Sequence, residues 1–514
     1  MLTATPLIRF HAFWRFCHLD WQKPSDVQQN QLMALLRKAA STRFGREHGF
    51  ASINSVLEFQ KRVPLRTYED FWIDYWKSDF PRLVDCTWPG KIPYFALTSG
   101  TTKGVTKYIP VSREMLWANI KAAWDILFHH LLNRPDSLIL GGKSLLLGGS
   151  TKLHEEAPGI WSGDLSGIEA NELPWWLVPY VLPPRELALL GNWEEKIEKI
   201  ARLCTSEDVR AITGTPNWML LFFDKFSELS PAAQRHLSVH FPNLELIVHG
   251  GINFHPYASR FADLLTGSRA ELREVYPASE AFVAIADRGP GEGMRLIIDN
   301  GVFYEFVPRE ELRKPNPTRH WIGNAEVGVD YALILSTCAG AWGYILGDTI
   351  RFIELEPPRI VITGRTSYLL SSFGEHLIDE EIEQAVAAAA LSIGATVADY
   401  AVAPIFSERA GPSGWHHYIV EFANEIPSDE RLAVFRDALE QKLSTLNADY
   451  RAHRVGGYDL APPRVQAAPP GTYRAWMRSR GQLGGQHKVP RIINDADLFA
   501  KLRAFVSNVC AKPS

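Results

Sequence analysis

The sequence has few cysteines, and their spacing excludes two structural classes. The 514-residue chain contains five, at positions 17, 86, 204, 338 and 510, and none forms a CxxC pair. A disulfide framework and a thiolate zinc site are therefore not expected. A reducing compartment suits such a chain, and we expect a cytoplasmic protein.

Long apolar runs and the signatures of several enzyme classes are also missing. No uncharged apolar run reaches 18 residues, so no membrane span is expected, and the N-terminal MLTATPLIRFHAFWRF is a poor signal peptide. The chain has no HExxH, which argues against a zincin, and no GxSxG, which argues against an α/β-hydrolase. The net charge of -4 gives no general attraction to a polyanion, so no nucleic-acid partner is expected.

What the sequence does have is a change of pattern near residue 364. Before it, strand-rich blocks dominate, and after it helix and strand alternate. We therefore predict a mixed α/β fold with a large N-terminal domain and a smaller C-terminal α/β domain. The helices are predicted over 25–48, 113–133, 193–204, 378–394 and 428–446. The strands are predicted at 243–251, 295–308, 331–355 and 416–422, with a strand, Gly turn and strand over 138–149.

The most distinctive tract is a hydroxyl-rich loop followed by a lysine. It consists of Thr98, Ser99, Gly100, Thr101, Thr102, Lys103 and Gly104, with Lys107 just after. Small residues let backbone amides approach an anion, hydroxyls add donors and lysine adds a point charge. The tract therefore indicates a phosphate site, and the alternative is an ordinary polar β-turn.

This loop is not a Walker A motif, which requires G-x4-G-K-[ST]. The nearby Gly141-Gly142-Lys143-Ser144 has the right ending, but position 137 is Ser. We interpret GGKS as a hairpin turn. Any nucleotide must then be held by another architecture.

Two shorter motifs carry carboxylates. In VYPASEAF (275–282), Tyr276 is suited to stacking on a purine and Glu280 to a Mg²⁺ that bridges phosphates; the alternative is a strand end with one solvated Glu. In GYILGDTIRF (343–352), Asp348 is an acceptor that can take both hydroxyls of a ribose; the alternative is a common Gly-Asp turn.

The C-terminal tract from residue 460 to residue 494 has cations and no acid. It contains Arg464, Arg474, Arg478, Arg480, Lys488 and Arg491. A polyphosphate partner explains this excess better than nucleic acid, because the excess is local and the chain is net acidic. A solvated basic face is the alternative.

Taken in order, these motifs resemble those of the adenylate-forming superfamily, and most closely the auxin-responsive Gretchen Hagen family of acyl-acid amido synthetases. TSGTTKGVTK is similar to the family's phosphate loop, VYPASEAF to its YxSSE motif and GYILGD to its YRxGD motif. GTYRAWMRSRGQLGGQHKVPR (471–491) resembles the segment that ends in QYKxPR. FGREHGF (44–50) and VPLRTYEDF (63–71) extend the resemblance nearly end to end.

The resemblance implies ATP and Mg²⁺ as reactants, with a small carboxylic acid and an amino acid as substrates. A carboxylate attacks the α-phosphorus of ATP, and an amine then attacks the acyl-adenylate. It also implies a small β-barrel in the N-terminal domain, which spans 1–364, a hinge at 365–368 and a mobile C-terminal domain over 369–514.

The resemblance also implies residue roles. Thr98, Ser99, Gly100, Thr101, Thr102, Gly104 and Lys107 hold phosphate. Tyr276 flanks adenine, with Gly250, Gly251 and Ser279 in the same nucleotide site. Glu280 binds Mg²⁺, Asp348 holds the ribose, Arg365 lies at the hinge and Lys488 reaches the α-phosphate. The acid is expected between the 113–133 helix and GTPNWMLLFF (214–223), lined by Trp124, Thr215 and Trp218, for each of which a core role is the alternative.

Three departures concern the second substrate. Ile345 replaces a cation that plant members carry, Thr366 replaces a hinge lysine, and GEHL (374–377) resembles bacterial members. These place the chain outside the plant hormone-conjugating branch, as a bacterial-type member. The alternatives left open are transfer of the acyl group to coenzyme A or another thiol, and a non-catalytic nucleotide-binding scaffold.

Overall fold

The computed structural model divides the chain into two compact units, Met1–Ile362 and Thr363–Ser514. The described residues are 5–99, 106–148, 152–190, 193–229, 236–251, 254, 257–366, 370, 377, 379–406, 414–447, 450–451, 454, 460–480 and 489–510. The hinge at 365–368 stays a prediction, and residues 367 and 368 lie outside the described ranges.

The first unit mixes helices with two sheets. Its helices are α1 (Thr5–Asp20), α2 (Pro24–Ala39), α3 (Arg43–Glu47), α4 (Val56–Arg62), α5 (Tyr68–Phe71), α6 (Arg113–Asn133), α7 (Leu165–Asn171), α8 (Arg185–Ala188), α9 (Trp193–Cys204), α10 (Pro216–Leu229), α11 (Leu237–His240) and α12 (Ala258–Leu264). Its strands are β1 (Tyr94–Ser99), β2 (Thr106–Val111), β3 (Lys143–Leu147), β4 (His154–Ala157), β5 (Ile160–Gly163), β6 (Val181–Leu182), β7 (Val209–Gly214), β8 (Leu246–Gly250), β9 (Glu271–Pro277), β10 (Phe282–Ile285), β11 (Met294–Leu296), β12 (Val302–Pro308), β13 (His320–Trp321), β14 (Asp330–Thr337), β15 (Tyr344–Leu355) and β16 (Pro358–Arg365).

The larger sheet has twelve strands in the order β13-β12-β14-β15-β16-β11-β10-β9-β8-β7-β3-β6. From β9 to β6 the neighbouring strands are parallel. From β9 to β10, and from β10 to β11, the pairing turns antiparallel. The sheet therefore has a parallel half whose strands all end at one edge.

Helices cover both faces of the parallel half, as its nearly continuous apolar strands require. Alternate residues of one strand face opposite sides: Ile212 packs in a cluster with Met219 and Phe222 of α10, whereas Ala211 packs with Ala122 and Ile126 of α6. α6 begins at a defined residue, because Ser112 accepts a hydrogen bond from the backbone N–H of Met115. The 113–133 helix is thus confirmed.

The smaller sheet has the order β2-β1-β5-β4. β1 and β2 form an antiparallel hairpin in which Thr98 pairs with Lys107 and Ser99 with Thr106. The hydroxyl-rich loop therefore joins the ends of two paired strands.

The second unit is a three-layer arrangement around the sheet β17-β18-β19. Its elements are α13 (Asp379–Ser392), β17 (Val397–Phe406), β18 (Gly414–Phe422), α14 (Asp429–Leu446), β19 (Arg464–Ala468), α15 (Thr472–Ser479) and α16 (Ala496–Cys510). Tyr400 and Val402 pack in the cluster that contains α13 and α14, whereas Ala401 and Ala403 pack with the cluster of α15 and α16. Alternate side chains of β17 thus pack into two separate apolar cores.

Two local predictions are wrong. The helix over 25–48 is two helices, because Thr42 leaves the helical conformation and accepts a hydrogen bond from the N–H of Gly45 to begin α3. GGKS is not a hairpin turn, because β3 starts at Lys143 and runs parallel to β7. Gly142 serves close packing there, since a Cβ on it would lie 2.4 Å from the carbonyl oxygen of Asp208.

The predicted fold class is confirmed as mixed α/β with large sheets and flanking helices. The strand order is linear in both sheets of the first unit, so the small β-barrel stays a prediction. Among the described residues, no helix combines the length and apolarity needed to cross a membrane.

A buried ion pair makes a testable contribution to the first unit. Arg319 donates two hydrogen bonds to Glu305, at 2.9 and 2.8 Å, and the two side chains are 9% and 0% exposed. Glu305→Gln leaves the guanidinium buried without its anion, so we expect a loss of about 3–5 kcal/mol in the free energy of unfolding. Urea unfolding followed by tryptophan fluorescence measures it.

Lys199→Gln is the control, since the Lys199–Glu195 pair is about half exposed and such pairs add little. Equal effects of the two substitutions contradict the prediction.

Candidate active site

The carboxyl ends of the parallel strands bring several of the predicted residues to one sheet edge. β7 is followed by Thr215, β8 ends in Gly250 and is followed by Gly251, and β9 is followed by the turn that carries Ser279 and Glu280. Ligands of α/β proteins bind at this edge, where the strand order changes direction. The edge is therefore the candidate active site.

The backbone geometry at this edge requires glycine at two positions. A Cβ on Gly250 would lie 2.3 Å from the carbonyl oxygen of Val275 in the neighbouring strand, and Gly251 has a φ of +79°. Glycine is thus required at 250 by strand packing and at 251 by the left-handed conformation. Their proximity to adenine stays a prediction.

Glu280 stands on a tight turn beside the loop hairpin. The turn is closed by a hydrogen bond of 2.9 Å from the Ala278 N–H to the Ala281 carbonyl. The hydroxyl of Tyr344 donates to Oε1 of Glu280 at 2.8 Å. A narrow cavity beside the carboxyl is also lined by Ile109 of β2.

The groups around Glu280 shift the pKa of its carboxyl in opposite directions. Burial raises the pKa of its carboxyl, and the hydrogen bond from Tyr344 opposes that rise because it stabilises the ionised form. The charge of Asp348 raises this pKa further and that of Lys107 lowers it. Burial also raises the pKa of Tyr344 well above its ordinary value, so its hydroxyl remains a donor at neutral pH.

Lys107 lies at the base of the loop hairpin. Its ammonium is 3.6 Å from Oε1 of Glu69 and 5.0 Å from the ring centroid of Tyr68. It is thus a cation near Glu280, on the same strand that lines the cavity. Of the other loop residues, Gly100, Thr101, Thr102 and Gly104 lie outside the described ranges, and the side chain of Ser99 is not described.

Asp348 lies on a β-bulge. β14 pairs Ala332 with Thr349 and Ile334 with Ile345, so three residues of β15, 346–348, lie opposite the single residue Leu333 of β14. Gly347 has a φ of +93°, which allows the chain to accommodate them. The sequence predicted a turn after a strand, whereas the aspartate interrupts a strand that continues to Leu355.

Tyr276 connects the two carboxylate motifs. Its ring is buried in the main apolar cluster of the first unit, and its hydroxyl donates to Oδ2 of Asp348. The structure thus brings the two motifs together. The role of Tyr276 beside adenine stays a prediction, since the ring is only 6% exposed.

Ile345, one of the departures, has an apolar environment. It packs with Leu65 against a cluster that contains Val307 and Ile334. A cation at this position would have to be placed among apolar side chains, which is costly without a partner.

The three residues predicted to line the acid pocket lie in different surroundings. Trp124 of α6 stacks on Phe128 and Trp176, with ring centroids 5.7 and 6.2 Å apart. Trp218 packs against the core cluster around α9 and α10, and the carbonyl of Thr215 accepts the N–H of Met219 in the first turn of α10. The acid pocket stays a prediction for all three.

The C-terminal basic tract is partly paired. Arg491 forms an ion pair with Glu383 and lies 3.7 Å from Asp399. Arg464 lies over the ring of Trp415 at 3.7 Å. Because acidic partners lie outside the tract, the sequence of the tract alone overestimated its unpaired positive charge. Lys488 lies outside the described residues, and the side chain of Arg365 is not described.

Sequence reasoning missed two groups. The first is Tyr344, which lies inside the motif around Asp348. Its hydroxyl could have indicated a hydrogen-bond donor for a nearby carboxylate. Glu169 of α7 is a carboxyl whose pKa burial raises to about 7, and the side-chain amide of Asn119 donates to it at 2.9 Å. No motif marked Glu169.

The donor set suits Mg²⁺ better than an all-protein metal site. Among the described residues, no group of three or more His, Cys, Asp or Glu side chains is placed to hold a metal ion. Mg²⁺ is commonly held by one or two carboxylates together with substrate phosphates. Glu280, hydrogen-bonded and next to the loop hairpin, fits that pattern.

Family comparisons match most of the chain. The GH3 family N-terminal domain matches residues 15–160 and 156–270, the central domain residues 295–365 and the C-terminal domain residues 380–497. The chain belongs to the GH3 family. Gly250 and Gly251 of the candidate active site lie in the matched N-terminal domain and Asp348 in the central domain, whereas Glu280 lies between the two matched ranges.

The relatives of this GH3 protein include plant enzymes. Indole-3-acetic acid-amido synthetase GH3.15 of Arabidopsis thaliana is 24% identical over 564 residues, which cover 93% of this chain and 92% of that protein. Other matches are shorter: GH3.3 of the same plant is 26% identical over 254 residues, 47% of this chain and 42% of that protein. The aligned part thus spans less than half of GH3.3.

Solved structures show the same fold. AtGH3.15 acyl acid amido synthetase in complex with 2,4-DB superposes with a TM-score of 0.78 at 18% identity, covering 97% of this chain and 96% of that chain. A 2-hydroxyisobutyryl-CoA ligase in the postadenylation state gives 0.59 at 14% identity, covering 94% and 91%. The fold is thus that of adenylate-forming enzymes.

The close packing at the end of β8 can be tested by Gly250→Ala. Its Cβ must displace the backbone of β9, so we expect a loss of about 1–3 kcal/mol or more in the free energy of unfolding. Gly289→Ala is the control, because its Cβ would meet only Oε1 of Glu292, at 3.0 Å and at the end of a flexible side chain. Thermal unfolding compares them, and equal stability of both variants contradicts this account.

Proposed function

We propose that this protein is a ligase that activates a small carboxylic acid with ATP and joins it to an amino acid through an amide bond. AMP and pyrophosphate are the other products. The observation that carries the proposal is the pairing of the two carboxylate motifs, Glu280 with Tyr344 and Asp348 with Tyr276, at one sheet edge of a GH3 family fold. The names of its relatives support the same reaction.

In the first step, an oxygen of the substrate carboxylate attacks the α-phosphorus of ATP, and pyrophosphate leaves. The negative charge that develops on the phosphate needs positively charged and hydrogen-bonding groups placed in advance. Lys107 and the hydroxyls of the 98–104 loop are proposed for the phosphates. Lys488 is proposed for the α-phosphate.

Bound Mg²⁺ would neutralise phosphate charge and orient the leaving pyrophosphate. Glu280, with its carboxyl ionised, would bind this Mg²⁺. The Tyr344 hydroxyl favours that form, and it also fixes the rotamer of the carboxyl through the hydrogen bond of 2.8 Å. Asp348, fixed by Tyr276, would accept both ribose hydroxyls.

In the second step, an uncharged amine of the amino acid attacks the carbonyl carbon of the acyl-adenylate. The C–N bond forms as the bond to the phosphate oxygen breaks, the amine loses a proton and AMP leaves. We propose that the first substrate is a small apolar carboxylic acid.

The reaction is tested by exchange of labelled pyrophosphate into ATP with a panel of carboxylic acids, followed by mass spectrometry of products with amino acids or coenzyme A. We expect acid-dependent exchange and an amide. A thioester instead of an amide assigns a thiol acceptor, and absence of exchange with every acid supports a nucleotide-binding scaffold. Either outcome overturns the proposal.

Lys488 has a test of its own. Lys488→Ala should lower the exchange rate by about 10²- to 10³-fold, the usual cost of losing a group that stabilises transition-state charge, while ATP still binds by calorimetry. Lys501→Ala, an exposed lysine of α16, is the control and should leave exchange unchanged. Full exchange activity in Lys488→Ala contradicts the assigned role.

Tyr344→Phe tests the electrostatics of Glu280. The ionised carboxyl is the active form, and burial raises its pKa, so activity is present above that pKa and is lost as the pH falls through it. Removing the Tyr344 hydrogen bond raises the pKa further. The acidic limb of the exchange rate should therefore move to higher pH.

The pH profile of exchange at saturating ATP measures this shift. Tyr180→Phe, at an exposed position of the first unit, is the control and should leave the limb in place. A limb that is unmoved in Tyr344→Phe, or moves to lower pH, contradicts the account.

A further inference from the structure

α1 has an apolar outer face that is exposed to solvent. Leu7, Phe10, Trp14 and Trp21 are 76%, 64%, 61% and 79% exposed. Phe13 lies beside them and is also exposed. Large contiguous apolar patches are uncommon on the exposed surface of monomeric proteins, so this face calls for a partner.

The opposite face of α1 is already occupied. Ala12 is buried, and Ile8 packs against the cluster that contains α6. Arg15 forms ion pairs with Asp125 of α6 at 2.8 Å and with Asp299 at 2.6 Å. The helix is therefore fixed to the first unit, and its outer face has a defined direction.

The outer face has the spacing of a helix–helix contact. Its residues are Leu7, Phe10, Trp14, Cys17 and Trp21, and steps of three and four residues are those along which two helices pack. The N–H of Trp21 donates to the carbonyl of Cys17 at 3.1 Å, so Trp21 continues the helical turn. We call these five residues the α1 stripe.

The exposed area is sufficient for a dimer. An aromatic side chain presents about 200 Å², so the exposed fractions of Phe10, Phe13, Trp14 and Trp21 amount to roughly 500 Å² from one chain before Leu7 is added. Two copies then exceed the ~1,000 Å² that a specific interface requires. Tryptophan and phenylalanine are also the residues enriched in interface cores.

We propose that the α1 stripe of one copy packs antiparallel against the α1 stripe of a second copy, about a two-fold axis. A self-complementary apolar patch fits the isologous contact of a two-fold dimer. A membrane surface fits less well, because interfacial helices add lysine and arginine around their apolar face. On α1 the arginines are Arg9, which donates to the carbonyl of Leu131 at 3.2 Å, and the inward-facing Arg15. This proposal does not depend on the proposed reaction.

Analytical ultracentrifugation of the full chain over a range of micromolar concentrations tests the dimer. The wild type should sediment as a dimer, and the double variant Phe10→Glu, Trp14→Glu as a monomer with unchanged circular dichroism. Leu391→Glu is the matched control, since Leu391 is an apolar residue outside the stripe and is 80% exposed on α13. A wild type that is monomeric throughout overturns the proposal, and so does a dimer that survives the double substitution.

Cross-linking tests the antiparallel register. With a two-fold axis at the middle of the stripe, Trp14 meets its own copy, so Trp14→Cys with Cys17→Ser should form an intermolecular disulfide under mild oxidation. Leu57→Cys with Cys17→Ser, an exposed position on α4, should not. Cross-linking that is equal in both variants overturns the antiparallel contact.

Co-sedimentation with vesicles tests whether the α1 stripe binds a membrane surface instead of a second copy. Neutral phosphatidylcholine vesicles, and vesicles with added phosphatidylserine, should leave the wild type in the supernatant. Binding that the double glutamate substitution abolishes would assign the stripe to a lipid surface and overturn the dimer proposal.

Discussion

Parallel strands that end at one edge are the constraint on which this molecule depends. Because β7, β8 and β9 run in the same direction, the segments that follow them meet, although they are far apart in sequence. Glu280 is placed by this rule, whereas Asp348 comes from the antiparallel half and accepts a hydrogen bond from the hydroxyl of Tyr276 at the end of β9. The site therefore belongs to the boundary between the two halves of one sheet, where β9 changes from a parallel to an antiparallel neighbour.

Two buried carboxyls of the first unit show how burial and hydrogen bonding are balanced. A carboxyl taken out of water loses solvation in its charged form, and a hydroxyl donor returns part of that stabilisation. Glu280 has Tyr344 as its donor, and Glu169 has the weaker amide of Asn119. Burial raises the pKa of both carboxyls, and it raises that of Glu169 to about 7.

Sequence patterns identified the long elements and the chemical motifs, since both depend on local order of residues. α6 and the class of the fold followed from periodicity, and the loop, Glu280 and Asp348 followed from residue types and family resemblance. What the patterns missed depends on a local cap in one case and on contacts between distant segments in the others. The break at Thr42 comes from a local cap that overrides continuous periodicity. The parallel pairing of β3 cannot be read from GGKS, because Lys143 pairs with Val209, 66 residues further along. The partners of Arg491 lie in other elements, so its pairing was equally invisible within its own tract.

The bulge at residues 346–348 separates two roles along one strand. Ile345 is paired in register with Ile334 and is held by its apolar neighbours, whereas Asp348 follows a left-handed glycine that reorients the chain. The direction of the aspartate is thus set by backbone geometry and by Tyr276, without help from residue 345. An aliphatic residue at 345 is therefore compatible with an unchanged orientation of the acidic group three positions later. The glycine between them has no such freedom.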